Sequence, residues 1–176
     1  MTTSQQLKHI TYSSLFVALI AAGAFLSIPI GPVPIVLQNM FVLLAGILLG
    51  PIWGLACVAI YLLIGACGLP VFANGKAGIG IIFGPTGGYL LGYLPAVFIT
   101  GLISKIGNHK IVANIFAMIA GSIIVYAAGV PWLKAVTGMG WSKTLTMGMY
   151  PFIVGDIIKI IAAAFIAKAI RPYIKL

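Results

Sequence analysis

The sequence predicts an all-α, polytopic membrane protein: a bundle of six transmembrane helices in a single domain over residues 1–176. Three observations carry that prediction. Hydrophobic residues make up 62% of the chain and charged residues only 6%, whereas a soluble domain needs about 25% charged residues to solvate its surface. The apolar residues fall into six runs, each closed by proline or glycine. Ten Lys and Arg face a single acidic residue, so no mixed polar shell can form. Six spans at roughly 20 residues each need about 120 residues, which 176 supply with short connections.

In order, span 1 covers about Ile10–Ile28 and stops at Pro29-Ile30-Gly31-Pro32-Val33-Pro34, where the prolines exclude regular helix. It is too long for the apolar region of a signal peptide and lacks a clear cleavage site, so it is expected to be retained. Span 2, about Ile35–Leu49, ends at Gly50-Pro51, and span 3, about Ile52–Ala66, ends at Gly68-Leu69-Pro70. Both are short for a bilayer, which implies tilt or local thinning. A glycine-rich connection, 71–88, leads to span 4, about Tyr89–Ser104, and span 5 follows at about Ile111–Ala128. A polar connection carrying Pro131, Trp132, Lys134, Trp141 and Lys143 precedes span 6, about Met149–Ile170.

An even number of spans puts both termini on one side. That side collects Lys8, Lys105, Lys110, Lys168, Arg171 and Lys175, against Lys76, Lys134 and Lys143 on the other. The positive-inside rule makes the richer side cytoplasmic, with the protein in the cytoplasmic membrane among its lipids. Trp132, Trp141 and Tyr150 fit an interfacial belt on the outer side. The three longest connections, 29–34, 68–88 and 129–148, fall outside together. Irregular backbone at membrane depth is tolerated where it lines a cavity, so they can jointly roof a pocket. The net charge of +9 does not indicate nucleic-acid binding, because the basic residues are scattered over segment ends and form no patch. Cys57 and Cys67 are ten residues apart on one span, about 15 Å on a straight helix, too far to bridge.

The strongest chemical signal is Gly155-Asp156-Ile157-Ile158-Lys159. Asp156 is the chain's only acid and lies about seven residues into span 6, roughly 10 Å deep at about 1.5 Å per residue. Lys159 is on the same helix face. Intramembrane charges are expensive and usually functional; a structural ion pair is the plainer alternative, although apolar replacements would serve stability as well. A carboxylate accepts two parallel N–H bonds, which a cyclic urea supplies, and an ammonium can hold a separate carboxylate. A small molecule with a urea at one end and an acid at the other suits the pair. A proton relay is equally allowed at this point.

Further polar candidates are Asn74, a loop amide or a plain Asn-Gly turn; Thr86, in Gly84-Pro85-Thr86-Gly87-Gly88; Tyr89 and Tyr93, four apart on one face or simple packing; and Gln38, a buried amide needing a partner. Ser14, Ala18 and Ala22 form a small-residue stripe that lets another helix approach closely, either within the bundle or from a partner subunit. His9 and His109 flank spans at the charged side and are expected to be interfacial. The sequence has no P-loop, no Gly-x-Ser-x-Gly and no metal-ligand cluster. One acid leaves little for general acid–base work, so an enzyme is not expected.

Four segments then point the same way: Ile28-Pro29-Ile30-Gly31-Pro32-Val33-Pro34-Ile35 with Gln38; Gly68-Leu69-Pro70-Val71-Phe72; Gly84-Pro85-Thr86-Gly87-Gly88-Tyr89-Leu90; and Pro151-Phe152-x-x-Gly155-Asp156-x-x-Lys159. In order and spacing, over nearly the whole chain, they resemble BioY, the biotin-specific S component of energy-coupling factor (ECF) transporters. The resemblance implies a six-helix bundle with biotin near its outer surface as transported ligand and no cofactor. It implies that Asp156 and Asn74 hold the ureido ring and Lys159 the valerate carboxylate. The Ser14/Ala18/Ala22 stripe resembles the motif that docks S components on the transmembrane coupling subunit, which works with two cytosolic ATPase subunits. Where the family often has threonine after Val-Pro-Ile, this chain has Val36, so a hydroxyl contact there is missing. An S component for another vitamin, thiamine or riboflavin for instance, and a proton-coupled carrier using Asp156 are the alternatives.

Overall fold

A computed structural model describes residues 3–29 and 31–174; Ile30 in the proline-rich link and Lys175 in the basic tail lie outside the described residues. Seven helices form the described fold: α1 (Thr3–Phe25), α2 (Gln38–Ala66), α3 (Ile79–Ile82), α4 (Gly87–Ile106), α5 (Ile111–Thr137), α6 (Trp141–Gly148) and α7 (Tyr150–Ile170). Two short strands, β1 (Ser27–Ile28) and β2 (Ile35–Val36), pair antiparallel.

Four helices are long and apolar enough to cross a membrane: α1, α2, α4 and α5. One of them crosses twice. Gly50 interrupts α2 with φ 80° and ψ 178°, a left-handed backbone position that glycine adopts at little cost. A Cβ on Gly54 would lie 3.1 Å from the Cα of Gly46, whereas eight residues of straight helix span about 12 Å. The chain therefore reverses at Gly50-Pro51, and the arms 38–49 and 51–66 are the expected spans 2 and 3 folded into a hairpin. With α7, whose 21 residues reach about 30 Å, the passes number six. The protein is a multi-pass membrane protein.

The first arm of α2 is the bundle's axis. Every residue from Val42 to Leu49 is buried, with α1 against one side, α4 against another and α7 alongside. Apolar side chains on the outside stay exposed, among them Phe116 at 63%, Val154 at 68% and Phe165 at 60%. Large exposed apolar faces of this kind are lipid-facing in a multi-pass protein. Where α4 crosses α2, a Cβ on Gly101 would sit 2.6 Å from the backbone nitrogen of Pro51 and 2.8 Å from the carbonyl oxygen of Gly46. The helices touch backbone to backbone, the arrangement small residues permit in membranes. Gly101→Val forces them apart and is expected to cost about 3 kcal/mol by overpacking. A thermal-denaturation midpoint in detergent equal to wild type would contradict this packing.

One end of the bundle is basic. The guanidinium of Arg171, just past α7, donates to the Ile47 carbonyl at 3.1 Å beside the Gly50 reversal. Ser104 donates to Asn114 Oδ1 at 2.7 Å and contacts His109 Nδ1 at 2.8 Å, closing the α4–α5 turn next to Lys105 and Lys110. His9 differs from the expectation: it is buried, stacked on Trp53 with ring centroids 4.6 Å apart, because α1 starts against the α2 reversal rather than projecting into the interface.

The other end holds the irregular segments. The proline-rich link is a β-hairpin (Ser27↔Val36, Ile28↔Ile35) whose prolines stay in the loop, where no ladder N–H is needed. The expected end of span 5 at Ala128 is too early: α5 continues to Thr137 through Pro131. Tertiary packing outweighs the proline here, since Gly129, Val130 and Leu133 are all buried. The helix stops at Gly138, left-handed at φ 69°.

Candidate functional site

The irregular end encloses a cavity of about 230 Å³ whose lining includes Asp156, Lys159, Asn74, Tyr89, Thr86, Gln38 and Tyr93. All seven polar residues singled out in the sequence therefore converge on one space, from four separate segments of the chain.

The floor is built on α7. Asp156 and Lys159 form an ion pair at 3.1 Å with 8% and 11% of their side chains exposed. Helical spacing of three brings them together, and Asn39 at the start of α2 closes the unit. Its amide donates to Asp156 Oδ1 at 2.7 Å and its oxygen accepts from Lys159 Nζ at 3.1 Å. Lys159 also donates to the Val36 carbonyl at 2.7 Å, so β2 orients the ammonium. Tyr126 on α5 donates to Asp156 Oδ2. The ammonium thus spends its three donors inside the protein, while the carboxylate keeps spare acceptor capacity. Gln38 and Ser122 also line the cavity; Gln38 Nε2 and Ser122 Oγ are buried with no hydrogen-bond partner among the described residues, and a buried polar group left unpaired costs about 1–3 kcal/mol.

The walls are aromatic. Tyr89 and Tyr93 lie four apart on α4, both buried. Tyr89 spends its hydroxyl on the Gly148 carbonyl at 2.8 Å, tying α4 to the α6–α7 junction, so its ring rather than its hydroxyl faces the cavity. Phe72, 1% exposed, and Phe152 complete the apolar lining. Thr86 sits at the start of α4 without capping it. Trp141 and Tyr150 are 56% and 54% exposed, and Trp132 differs from them. It is half-buried and donates its indole N–H to the Gly84 carbonyl at 3.0 Å. Gly88 makes room for it, since a Cβ there would sit 2.2 Å from the Trp132 Cβ.

The rim is the proline-rich hairpin and the turn 72–76. Asn74 is exposed and left-handed at φ 60°, and its Oδ1 accepts from Ser27 Oγ at 2.6 Å. It is therefore both a turn residue and part of the lining. Lys76 lies beside it in the lining.

Asp156 and Lys159 are in contact on the floor, and Asn74 stands at the exposed rim. Sequence reasoning missed Asn39, Tyr126 and Ser122. Asn39 carried a weak signal, a second amide beside Gln38 at the head of an apolar span. Tyr126 and Ser122 carried only their four-residue spacing.

Among the described residues no group of His, Cys, Asp or Glu could hold a metal ion. Cys57 and Cys67 are free.

Comparison with known proteins places this cavity in context. The family model described as "BioY family" matches residues 1–176. The chain is 42% identical over 164 residues to the probable biotin transporter BioY of Pyrococcus horikoshii, covering 93% of this chain and 96% of that one. It is 40% identical over 165 residues to the biotin transporter BioY of Thermotoga maritima, covering 94% and 96%. Among solved structures it is similar to the 2.1 Å crystal structure of the S-component for biotin from an ECF-type ABC transporter, with a TM-score of 0.91, 35% identity, and coverage of 98% of this chain and 95% of that one. Matched end to end by the family model and along nearly their whole length by these relatives, the chain belongs to the BioY family.

Proposed function

We propose that this protein captures biotin from outside the cell and carries it across the cytoplasmic membrane as the S component of an ECF-type transporter; it is a transport protein, not an enzyme. The observation that carries the reading is the sole carboxylate of the chain opening into the cavity with acceptor capacity to spare, beside the unpartnered Gln38 amide. A cyclic urea matches that floor: one of its N–H groups donates to the remaining acceptor site of Asp156, and its carbonyl accepts from Gln38 Nε2. The fused thioether ring and its methylenes fit the aromatic walls, as ligand sites pair an apolar lining with few orienting polar groups. Calorimetric titration of the purified protein with biotin, thiamine and riboflavin tests this. Saturable binding of biotin alone is expected, and binding of another vitamin in its place would overturn the assignment.

We infer that both termini lie in the cytoplasm; the gathering of Lys105, Lys110, Lys168 and Arg171 at the end opposite the cavity supports this. The partners are a transmembrane coupling subunit and two cytosolic ATPase subunits. Ser14, Ala18 and Ala22 are all exposed on α1, which leaves the small-residue face open for the coupling subunit. Ala18→Trp with Ala22→Trp is expected to abolish co-purification with that subunit and leave biotin binding unchanged. Retention of the intact complex by this variant would remove the stripe from the interface.

A further inference from the structure

We propose that the basic end of the bundle holds the phosphodiester headgroup of an anionic phospholipid, against Lys105 on α4, Lys110 at the start of α5, and Lys168 and Arg171 at the end of α7. This goes beyond the biotin reading and stands apart from it, because these residues lie at the end of the bundle opposite the cavity.

The basic end has no counter-charge of its own. The ends of three helices bring its cations together. Arg171 and Lys105 both act on His109 in the α4–α5 turn: burial first, and then these two charges, hold the imidazole below its usual pKa. Asp156 is the chain's only acid, and among the described residues the one ion pair is its bond to Lys159. From Asp156 to Arg171 the helix rises roughly 22 Å, well beyond a Debye length of about 8 Å. Asp156 therefore does not neutralise this end.

Arg171 is fixed in place with donors to spare. Pro51 has no N–H, so the Ile47 carbonyl lacks the helical donor four residues on, and the Arg171 guanidinium supplies one at 3.1 Å. That is the guanidinium's one hydrogen bond among the described residues, and the side chain is half-buried. A guanidinium carries five donors in a planar fork, which matches the oxygens of a phosphate.

Apolar surface adjoins the cations. Ile106, beside Lys105, is 73% exposed, and Val112 and Phe116, on the first turns of α5 after Lys110, are 59% and 63% exposed. Acyl chains cover such side chains, whereas an inorganic anion or an acidic protein loop leaves them bare. One phospholipid supplies the anion and the apolar cover together, at the depth where spans meet the headgroups. Attraction of basic residues to anionic lipid amounts to about fivefold in affinity per lysine.

The test reads phosphatidylglycerol retained on the full-length protein by native mass spectrometry, with phosphatidylcholine and inorganic phosphate as the other probes. Lys105→Gln with Lys110→Gln is compared with Lys134→Gln with Lys143→Gln, which removes the same charge from the opposite end. Wild type is expected to retain phosphatidylglycerol in preference to phosphatidylcholine, and inorganic phosphate is expected not to displace it. The 105/110 variant is expected to bind phosphatidylglycerol about thirtyfold more weakly, near fivefold per lysine. The 134/143 variant is expected to keep wild-type lipid affinity, and both are expected to keep wild-type biotin affinity. Equal losses in the two variants would show attraction to net charge alone and overturn the inference. Displacement by inorganic phosphate would overturn it in favour of a free anion. Unchanged lipid affinity in the 105/110 variant would also overturn it, and if that variant lost the coupling subunit the patch would be a protein interface instead.

Discussion

Asp156→Asn is expected to lower biotin affinity by roughly tenfold to a hundredfold, from the 1.5–3 kcal/mol lost when a hydrogen bond to a buried charge is removed. The substitution keeps the size of the side chain and replaces one acceptor oxygen with a donor. In the native floor every neighbour of that carboxylate donates: Asn39 at 2.7 Å, Lys159 at 3.1 Å and the Tyr126 hydroxyl. An asparagine amide sets N–H against one of these donors or against the N–H groups of the ligand, and it leaves the Lys159 ammonium without a counter-charge. Isothermal calorimetry reads the change directly. Wild-type affinity in the variant would remove Asp156 from the site.

Lys159→Met separates stability from binding. Breaking a buried pair by deleting one partner costs about 3–5 kcal/mol, because a desolvated charge is stranded. Here it also strips the Val36 carbonyl and the Asn39 oxygen of their donor. The single variant is expected to lose most of its thermal stability in detergent. Adding Asp156→Leu removes the stranded charge and is expected to return the ligand-free melting point close to wild type, with no recovery of biotin binding. A double variant as unstable as the single one would show that the pair holds the bundle together. A double variant that still binds biotin would show that it has no part in recognition.

How far the sequence reaches depends on what kind of signal each element leaves. The α2 hairpin was legible because Gly50-Pro51 breaks an apolar run that is otherwise too long, and only a reversal accommodates both halves. Asp156 and Lys159 were legible because charge is so costly at that depth. Asn39, which bridges them, was half-legible as an amide in an apolar helix. Tyr126 was not legible, since a tyrosine among apolar residues looks the same whether its hydroxyl meets a carboxylate or an interface. Local rules failed where tertiary packing overrode them. Pro131 stops a helix in isolation, yet α5 continues because Gly129, Val130 and Leu133 pack inward, and the bond of Trp132 to Gly84 spans 48 residues, beyond the reach of any local pattern. Spacing along α7 shows that Asp156 and Lys159 share a face, but only the fold shows that Asn39 draws them into direct contact.

The most direct test of Asp156 as the ligand's anchor is the distance from its carboxylate to the ureido nitrogens of biotin in a co-crystal structure of this protein. A separation of about 2.7–3.2 Å, hydrogen-bond range, is predicted. Biotin bound elsewhere, or in this cavity with its ureido ring away from Asp156, would contradict it.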